Sequence, residues 1–502
     1  MNTASRQKAS TLTRQAATSQ PMAAPQQVSW SPPAVEERPG RAVTNDTLGR
    51  NRKRSKSRDM ALKKIGILLS YSGKGYYALE KAKGQRTIEG DIITALETLG
   101  LAQGQSLRIS RSGNTVEGGH AARQVLSLEI IDDDKPYVVD TLNQLLPEQI
   151  RIWGLVRTVQ DFSARRNCDS QTWTYWLPTY SFIPPPATTA YAYPPQREEY
   201  PMPPPEPQGD NGLLSGLRKM TIGRTRRKSL YGSSGLALPG ESADPLDAVR
   251  SAGSGQMATP PASPRSPSGA NSRPTLQQGP IDIAPPSEQE LLRMQQYRAS
   301  PQQLDALQHM MGMYRGSHNW HNYVRNGSYE EMGHDMVQNV MCSPPEYHNN
   351  MEWVRITFTA ANFHKYQILK MVALAVLIIR TNTPRSIVAN SFGFANIDIP
   401  EAPAYSLVLE DSKYDGINGE MQKLISASST FATTLGTIKF APYNPQIEEF
   451  KQRFIYEEIF NDEAEIMGFE AWMRTLDKFS FLYHYLNPRG VLDLSEFQRG
   501  GR

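Results

Sequence analysis

Residues 183–285 break this chain in two. They carry Pro184 to Pro186, Pro194-Pro195, Pro203 to Pro205 and a Ser/Gly/Pro-rich tail, without hydrophobic periodicity. Proline has no N–H for a ladder, and serine and glycine bury little, so such a tract cannot build a packed core. A structureless stretch this long inside a domain reads as a disordered insertion, and any fold must be assembled from the sequence on either side of it. Residues 1–59 have a similar character: rich in Ser, Thr, Gln, Ala and Pro, with no acid before Glu36, they read as a disordered basic leader. The 37 prolines and a mean hydropathy of −0.52 agree with a chain of which a good part is unfolded. At 502 residues there is still room for two or three full cores.

Outside these tracts the apolar residues are periodic. Residues 64–71 form a compact apolar run ending at the Ser72-Gly-Lys-Gly75 turn, which predicts a strand. Thr87-Ile-Glu-Gly places a hydroxyl at a helix N-cap, with Ile88, Ile92, Ile93, Leu96 and Leu99 on one face. A strand over 122–131, an amphipathic helix over 137–146 stopped before Pro147, and a strand over 150–157 follow. Further on, 171–178 is an aromatic-rich strand, 286–313 is helical, and 351–359 alternates as a half-buried strand. Residues 365–379 predict a core helix, 384–392 a shorter one, and 407–410 a strand closing the sheet. Two amphipathic helices occupy 446–485. The class is α+β. The expected units are 60–165, then 166–182 joined to 286–444, with 183–285 as the insertion and 445–502 as a helical extension.

Cys168 and Cys342 supply no disulfide framework, as in a reducing compartment. His318 and His321 resemble a metal pair in spacing, but Cys342 and His364 are not at ligand spacing, so no metal is expected. The longest apolar run, 371–379, is far short of the ~18 residues a spanning helix needs, so no membrane is expected as partner. A net charge of +4 and a pI near 8.8 suit a polyanionic partner without identifying one. The run Asn51-Arg-Lys-Arg-Ser-Lys-Ser-Arg58 is of the nuclear-import or nucleic-acid type. The nucleus is therefore the expected location. Arg6, Lys8 and Arg14 among hydroxyls leave the mitochondrion as the alternative. Ser229 after Arg226-Arg-Lys, and Thr259, Ser263 and Ser266 before prolines, are candidate kinase targets.

The most specific signal lies at Ser110-Arg-Ser-Gly-Asn-Thr-Val-Glu-Gly-Gly-His-Ala-Ala-Arg-Gln-Val-Leu-Ser-Leu128. It resembles the active-site strand of the TruA-type tRNA pseudouridine synthases, in particular their eukaryotic branch, which reads Ala-Arg-Thr-Asp-Lys-Gly-Val-(Ser/His)-Ala before an apolar strand. Further blocks carry the same resemblance in order: Tyr71-Ser-Gly-Lys-Gly-Tyr-Tyr77, Thr87-Ile-Glu89, Thr172-Trp-Thr-Tyr-Trp-Leu-Pro-Thr179, Gly316-Ser-His-Asn-Trp-His-Asn-Tyr323, Phe363 to Val372, Pro400-Glu-Ala-Pro403 and Leu407-Val-Leu-Glu410. The resemblance implies two α/β sandwich halves related by a pseudo-two-fold around a basic cleft that holds tRNA, followed by C-terminal helices, with no cofactor.

It also implies a chemistry this chain has lost. In the family one aspartate acts on the uridine during cleavage of the N–C glycosidic bond and rejoining through C5. An arginine fork pairs with that carboxylate, and a tyrosine stacks beneath the base. Here the aspartate position is Val116, the motif arginine is Asn114 and the partner arginine is Leu369, while the tyrosine is retained as Tyr175. Valine has no lone pair and cannot serve as base or nucleophile. A lone buried arginine left opposite valine would cost roughly 3–5 kcal/mol, whereas losing both charges removes that penalty. Glu117 is the one nearby acid and the fallback for a relocated group, although on an extended segment it points away from Val116.

The resemblance implies RNA, and within it tRNA, as the expected partner. Lys74, Tyr76, Arg111, Arg123, Lys219 and Lys370 would contact phosphates, with His120 at the local turn or on phosphate. Trp320, Tyr323 and Tyr175 would stack on bases, beside His318 and His321. Glu401 and Glu117 stand where the family carries lysines, which lowers the positive charge. Three readings follow: a catalytically silent RNA-binding protein, an active isomerase using a relocated acid such as Glu117, and a protein-interaction scaffold.

Overall fold

The computed structural model describes residues 62–102, 107–131, 137–190, 280–490 and 492. Lys219, the candidate kinase targets, the leader and most of the insertion lie outside them. The first strand, β1 (Leu62–Gly73), leads to α1 (Ile88–Thr98), β2 (Ser110–Arg111), β3 (Gly118–Ile131), α2 (Val138–Leu145), β4 (Ile150–Arg157) and β5 (Ser170–Pro178). After the insertion come α3 (Glu288–Gln295), α4 (Pro301–Met313), β6 (Gly316–Asn319), β7 (His334–Cys342), β8 (Glu346–His348) and β9 (Met351–Ala360). The chain continues through α5 (Gln367–Thr381), α6 (Ser386–Asn390), β10 (Leu407–Lys413), α7 (Asp415–Ala427), α8 (Ser429–Thr434), α9 (Asn444–Lys451), α10 (Glu457–Ile466) and α11 (Gly468–Lys478).

Among the described residues ten strands form one mixed sheet with the path β4-β1-β3-β10-β5-β9-β7-β6. β10 does not close the sheet at an edge, as the sequence suggested. It lies in the middle, parallel to β3 (Val408↔His120) and antiparallel to β5 (Leu407↔Tyr175), and joins the two halves. A strand covered on both faces has no polar alternation, and the continuous Leu407-Val-Leu409 run follows from that position. The described residues accordingly pack as one unit, and the C-terminal helices share its main hydrophobic cluster through Phe450, Ile455, Ile459 and Phe469.

Both faces of β1 are covered. Ile65, Ile67, Leu69 and Tyr71 point into the main cluster, with α1, while Leu68 meets Ile417, Met421 and Ile438 on the other side. Thr87 caps α1 as expected, its hydroxyl accepting from Gly90 N. The helical tract at 286–313 is two helices, because Ser287 and Ser300 each form a capping box and Pro301 starts the second. α5 is buried nearly all round, and its Arg380 forms a buried fork onto Asp477 of α11 at 2.9 and 2.7 Å. The described flanks of the insertion are docked, not structureless: Ala190 N donates to Ser480 Oγ and Ile281 N to Lys478 O.

Candidate functional site

The motif loop is welded to the turn after β1. A Cβ on Gly73 would lie 2.1 Å from the carbonyl oxygen of Gly119, so only glycine permits this approach. Gly118 begins β3 at φ +76 and its N–H donates to Tyr76 O. Behind the loop, the Tyr71 hydroxyl and Thr115 Oγ1 are 2.8 Å apart. Burial pushes the Tyr71 phenol well above its ordinary range, so it remains neutral.

Val116 sits in this frame 8% exposed, within the hydrophobic cluster that also contains Leu369 and Tyr175. Its neighbours have been drawn into other pairs. Arg111 places its fork on Glu89 of α1, with Nε–Oε1 at 2.6 Å and Nη2–Oε2 at 2.9 Å, and reaches Glu80 at 3.2 Å. Asn114 donates to the same Glu80 at 3.2 Å. The guanidinium of Arg111 therefore serves a carboxylate on a helix.

Several residues expected to grip RNA are core. Tyr175 is fully buried, donates its hydroxyl to Pro403 O at 2.9 Å and meets Phe469 edge-on, so it cannot lie beneath a base here. Burial raises its pKa well above the ordinary phenol value, so the hydroxyl is neutral. Trp320 and Tyr323 are also fully buried, in an aromatic cluster with Tyr314 and Phe392, and their polar atoms are spent on Asp335 O and Ser391 Oγ. His321 is 1% exposed between Asn319 and Ala395 O. His318 stacks on Phe392 at 4.0 Å. Lys370 is 7% exposed and points its ammonium at the carbonyls of Asn322 and Val324. Burial lowers its pKa. Arg123 reaches Glu410 O, Asn444 and Glu448, tying β3 to α9. Sequence gave these residues the right type for nucleic acid, but aromatic rings and amphipathic stems serve cores equally well.

The polar surface lies on the other side of the same loop. A cavity of about 500 Å³ opens between the Lys74–Tyr77 turn, the Glu117–His120 segment and α10. Lys74 and Arg86 contribute positive charge to its lining; Glu117, Glu458 and Asp462 contribute negative charge. Arg86 lies 4.4 Å over the Tyr76 ring and donates to the Tyr76 hydroxyl, which itself donates to Asp91. His120 is buried. Its Nδ1 accepts from Gly73 N at 3.2 Å, which leaves the Nε2–H to donate to Tyr405 O at 2.8 Å. Burial pushes its pKa down to about 4, so it is neutral and offers no charge to a phosphate. Glu117 is exposed, at the cavity wall.

In sequence α10 is only an amphipathic helix, yet it brings Glu458, Ile459, Asp462 and Ile466 to this wall. Ser72 donates to Glu458 at 2.5 Å, and Lys74 Nζ lies 2.6 Å from Asp462. Glu463, one position on, is buried beneath the hydroxyls of Tyr180 and Tyr405 and the N–H of Phe469. Burial pushes its pKa up to about 7. Glu401 takes a fork from Arg325 at 2.8 and 2.9 Å, and Arg325 lies over Tyr366.

No family model matches the chain. Among curated proteins, it is 28% identical over 432 residues to tRNA pseudouridine synthase 1 of Yarrowia lipolytica, covering 83% of this chain and 75% of that protein. It is 25% identical over 484 residues to tRNA pseudouridine synthase 1 of Schizosaccharomyces pombe, covering 86% and 87%. Pseudouridylate synthase 1 homolog of Mus musculus is 23% identical over 436 residues, covering 84% and 76%. The matches span both sides of the insertion, and the mixed sheet with C-terminal helices is the fold expected from the motif blocks.

Proposed function

From the premise that this chain belongs to the TruA-type tRNA pseudouridine synthase family of eukaryotes, we propose that it binds tRNA without isomerising uridine. One observation carries the silent half of this reading: the residue at the family's aspartate position, Val116, is buried with Leu369 in a hydrophobic cluster. Breaking a glycosidic bond without a cofactor needs a carboxylate at the sugar or base, and an apolar cluster offers neither a lone pair nor a proton. The RNA half is supported by the relatives' names and by the polar cavity beside the Lys74 turn.

A second reading keeps the activity and assigns it to Glu117, whose carboxylate is exposed in that cavity. It lacks the arginine fork of the family's acid, because Arg86 is held by Tyr76 and Asp91. Tritium release from tRNA labelled at uridine C5 decides between the two. The unaltered full chain is expected to release none, and an Asn114→Arg, Val116→Asp, Leu369→Arg chain to release measurably. Release by the unaltered chain overturns the silent reading, and its loss in Glu117→Ala would then assign the acid. The basic run at 51–58 supports a nuclear address, and phosphates at Ser229, Thr259, Ser263 or Ser266 would add negative charge to the insertion.

A further inference from the structure

The Lys74 turn already holds anions, and they are the protein's own. Glu458 and Asp462 are four residues apart on α10, so both carboxylates leave the same face of the helix. One accepts the Ser72 hydroxyl at 2.5 Å and the other meets Lys74 Nζ at 2.6 Å. The Ser72 hydroxyl is fully buried, so the ammonium is the donor within reach of a nucleic-acid phosphate, and an ammonium is a point charge that takes carboxylate or phosphate oxygen alike.

We propose that Asp462, on a helix anchored through Glu458 to the buried Ser72 hydroxyl, is a built-in phosphate mimic that occupies the Lys74 ammonium and competes with the RNA backbone for it. This rests on the RNA-binding reading above. The competition is between side chains. Swinging α10 away would expose Ile459, Phe460 and Glu463, at 1%, 6% and 0% exposure, so the helix stays docked. The ion pair itself can exchange, since the Lys74 and Asp462 side chains remain 51% and 24% exposed. The cavity beside it, about 500 Å³, admits a phosphate to Lys74 without backbone movement. Arg86 belongs to a separate pair with Asp91, so relieving the mimic frees Lys74 alone.

The test is the affinity of the full-length protein for an unmodified tRNA transcript, measured by filter binding over a range of salt. Replacing both acids (Glu458→Gln with Asp462→Asn) is expected to tighten binding about fivefold at physiological salt. It is also expected to steepen the log–log salt slope by about 0.7–0.9, the value of one added phosphate contact. Adding Lys74→Ala should abolish the gain. Measurable but unchanged binding in the double variant, or a gain that survives Lys74→Ala, overturns the mimic and leaves RNA binding standing. No binding by either protein at low salt overturns the RNA-binding reading and the mimic with it.

Discussion

Val116 and Glu117 are consecutive residues in opposite worlds. Val116 is drawn into the hydrophobic cluster with Leu369, while Glu117 stands exposed at the wall of a charged cavity. On the Val116 side the loop is packing: two apolar residues in one cluster leave no buried charge to solvate. On the Glu117 side the surface is polar, but its cations are matched by carboxylates: Lys74 by Asp462 of α10 and Arg86 by Asp91 of α1. The difference teaches that one loop can lack a free charge in two independent ways. One keeps charge out of a dry place and bears on stability; the other cancels charge in a wet place and bears on recognition.

The dry side is the easier to break. Val116→Asp alone should destabilise the chain by about 3–5 kcal/mol in urea unfolding, because an unpaired carboxylate is forced into an apolar cluster. Adding Leu369→Arg should recover part of that loss, and the coupling in a double-mutant cycle measures whether the two positions meet. A cost below about 1 kcal/mol for Val116→Asp would mean that water reaches the position and the contrast fails.

Glu463 sits on the border between the two sides, and its stability signature depends on pH. Its carboxyl titrates ordinarily near 4.5 and is pushed up to about 7 by burial beneath Tyr180 and Tyr405. Between those values the folded chain keeps a proton that the unfolded chain has released. The contribution is therefore full below about pH 4.5 and is lost as pH rises through 7. His120 works in the opposite sense. Its pKa of about 4 in the fold lies below the ordinary 6.5, so stability is lost as pH falls below 6.5. The two partly cancel in the unaltered chain. The difference between the unaltered chain and Glu463→Gln removes His120 from the comparison, and it should shrink by on the order of 3 kcal/mol from pH 4.5 to 8. A flat difference would mean that Glu463 is hydrated.

Much of this contrast was legible in the sequence, on one side only. The apolar character of Val116 and Leu369 and local signals such as the Thr87 cap and the 150–157 strand recur in the structure. Long-range facts were not readable. The Leu407-Val-Leu409 run looks the same at an edge or a centre, and its parallel partner β3 lies far away in sequence. Trp320, Tyr323 and Tyr175 looked like stacking platforms because an aromatic ring does not declare whether it faces water or core. Lys370 carried a usable warning, since it sits in a helix apolar on every side. The Glu458 to Asp462 spacing was equally visible, but nothing in sequence ties it to Lys74.

That last pair gives the smallest effect and the sharpest form of the comparison. The Lys74–Asp462 bridge is short yet half exposed, and such pairs are worth about 0.2–1 kcal/mol because solvent screens them and two long side chains must be ordered. A stability double-mutant cycle on Lys74→Ala and Asp462→Asn should therefore couple by less than about 1 kcal/mol and weaken further in high salt. The same pair should nonetheless govern the salt slope of tRNA binding. A coupling of several kcal/mol would instead make the bridge a structural member, buried in effect, and the distinction between a side that stabilises and a side that recognises would be lost.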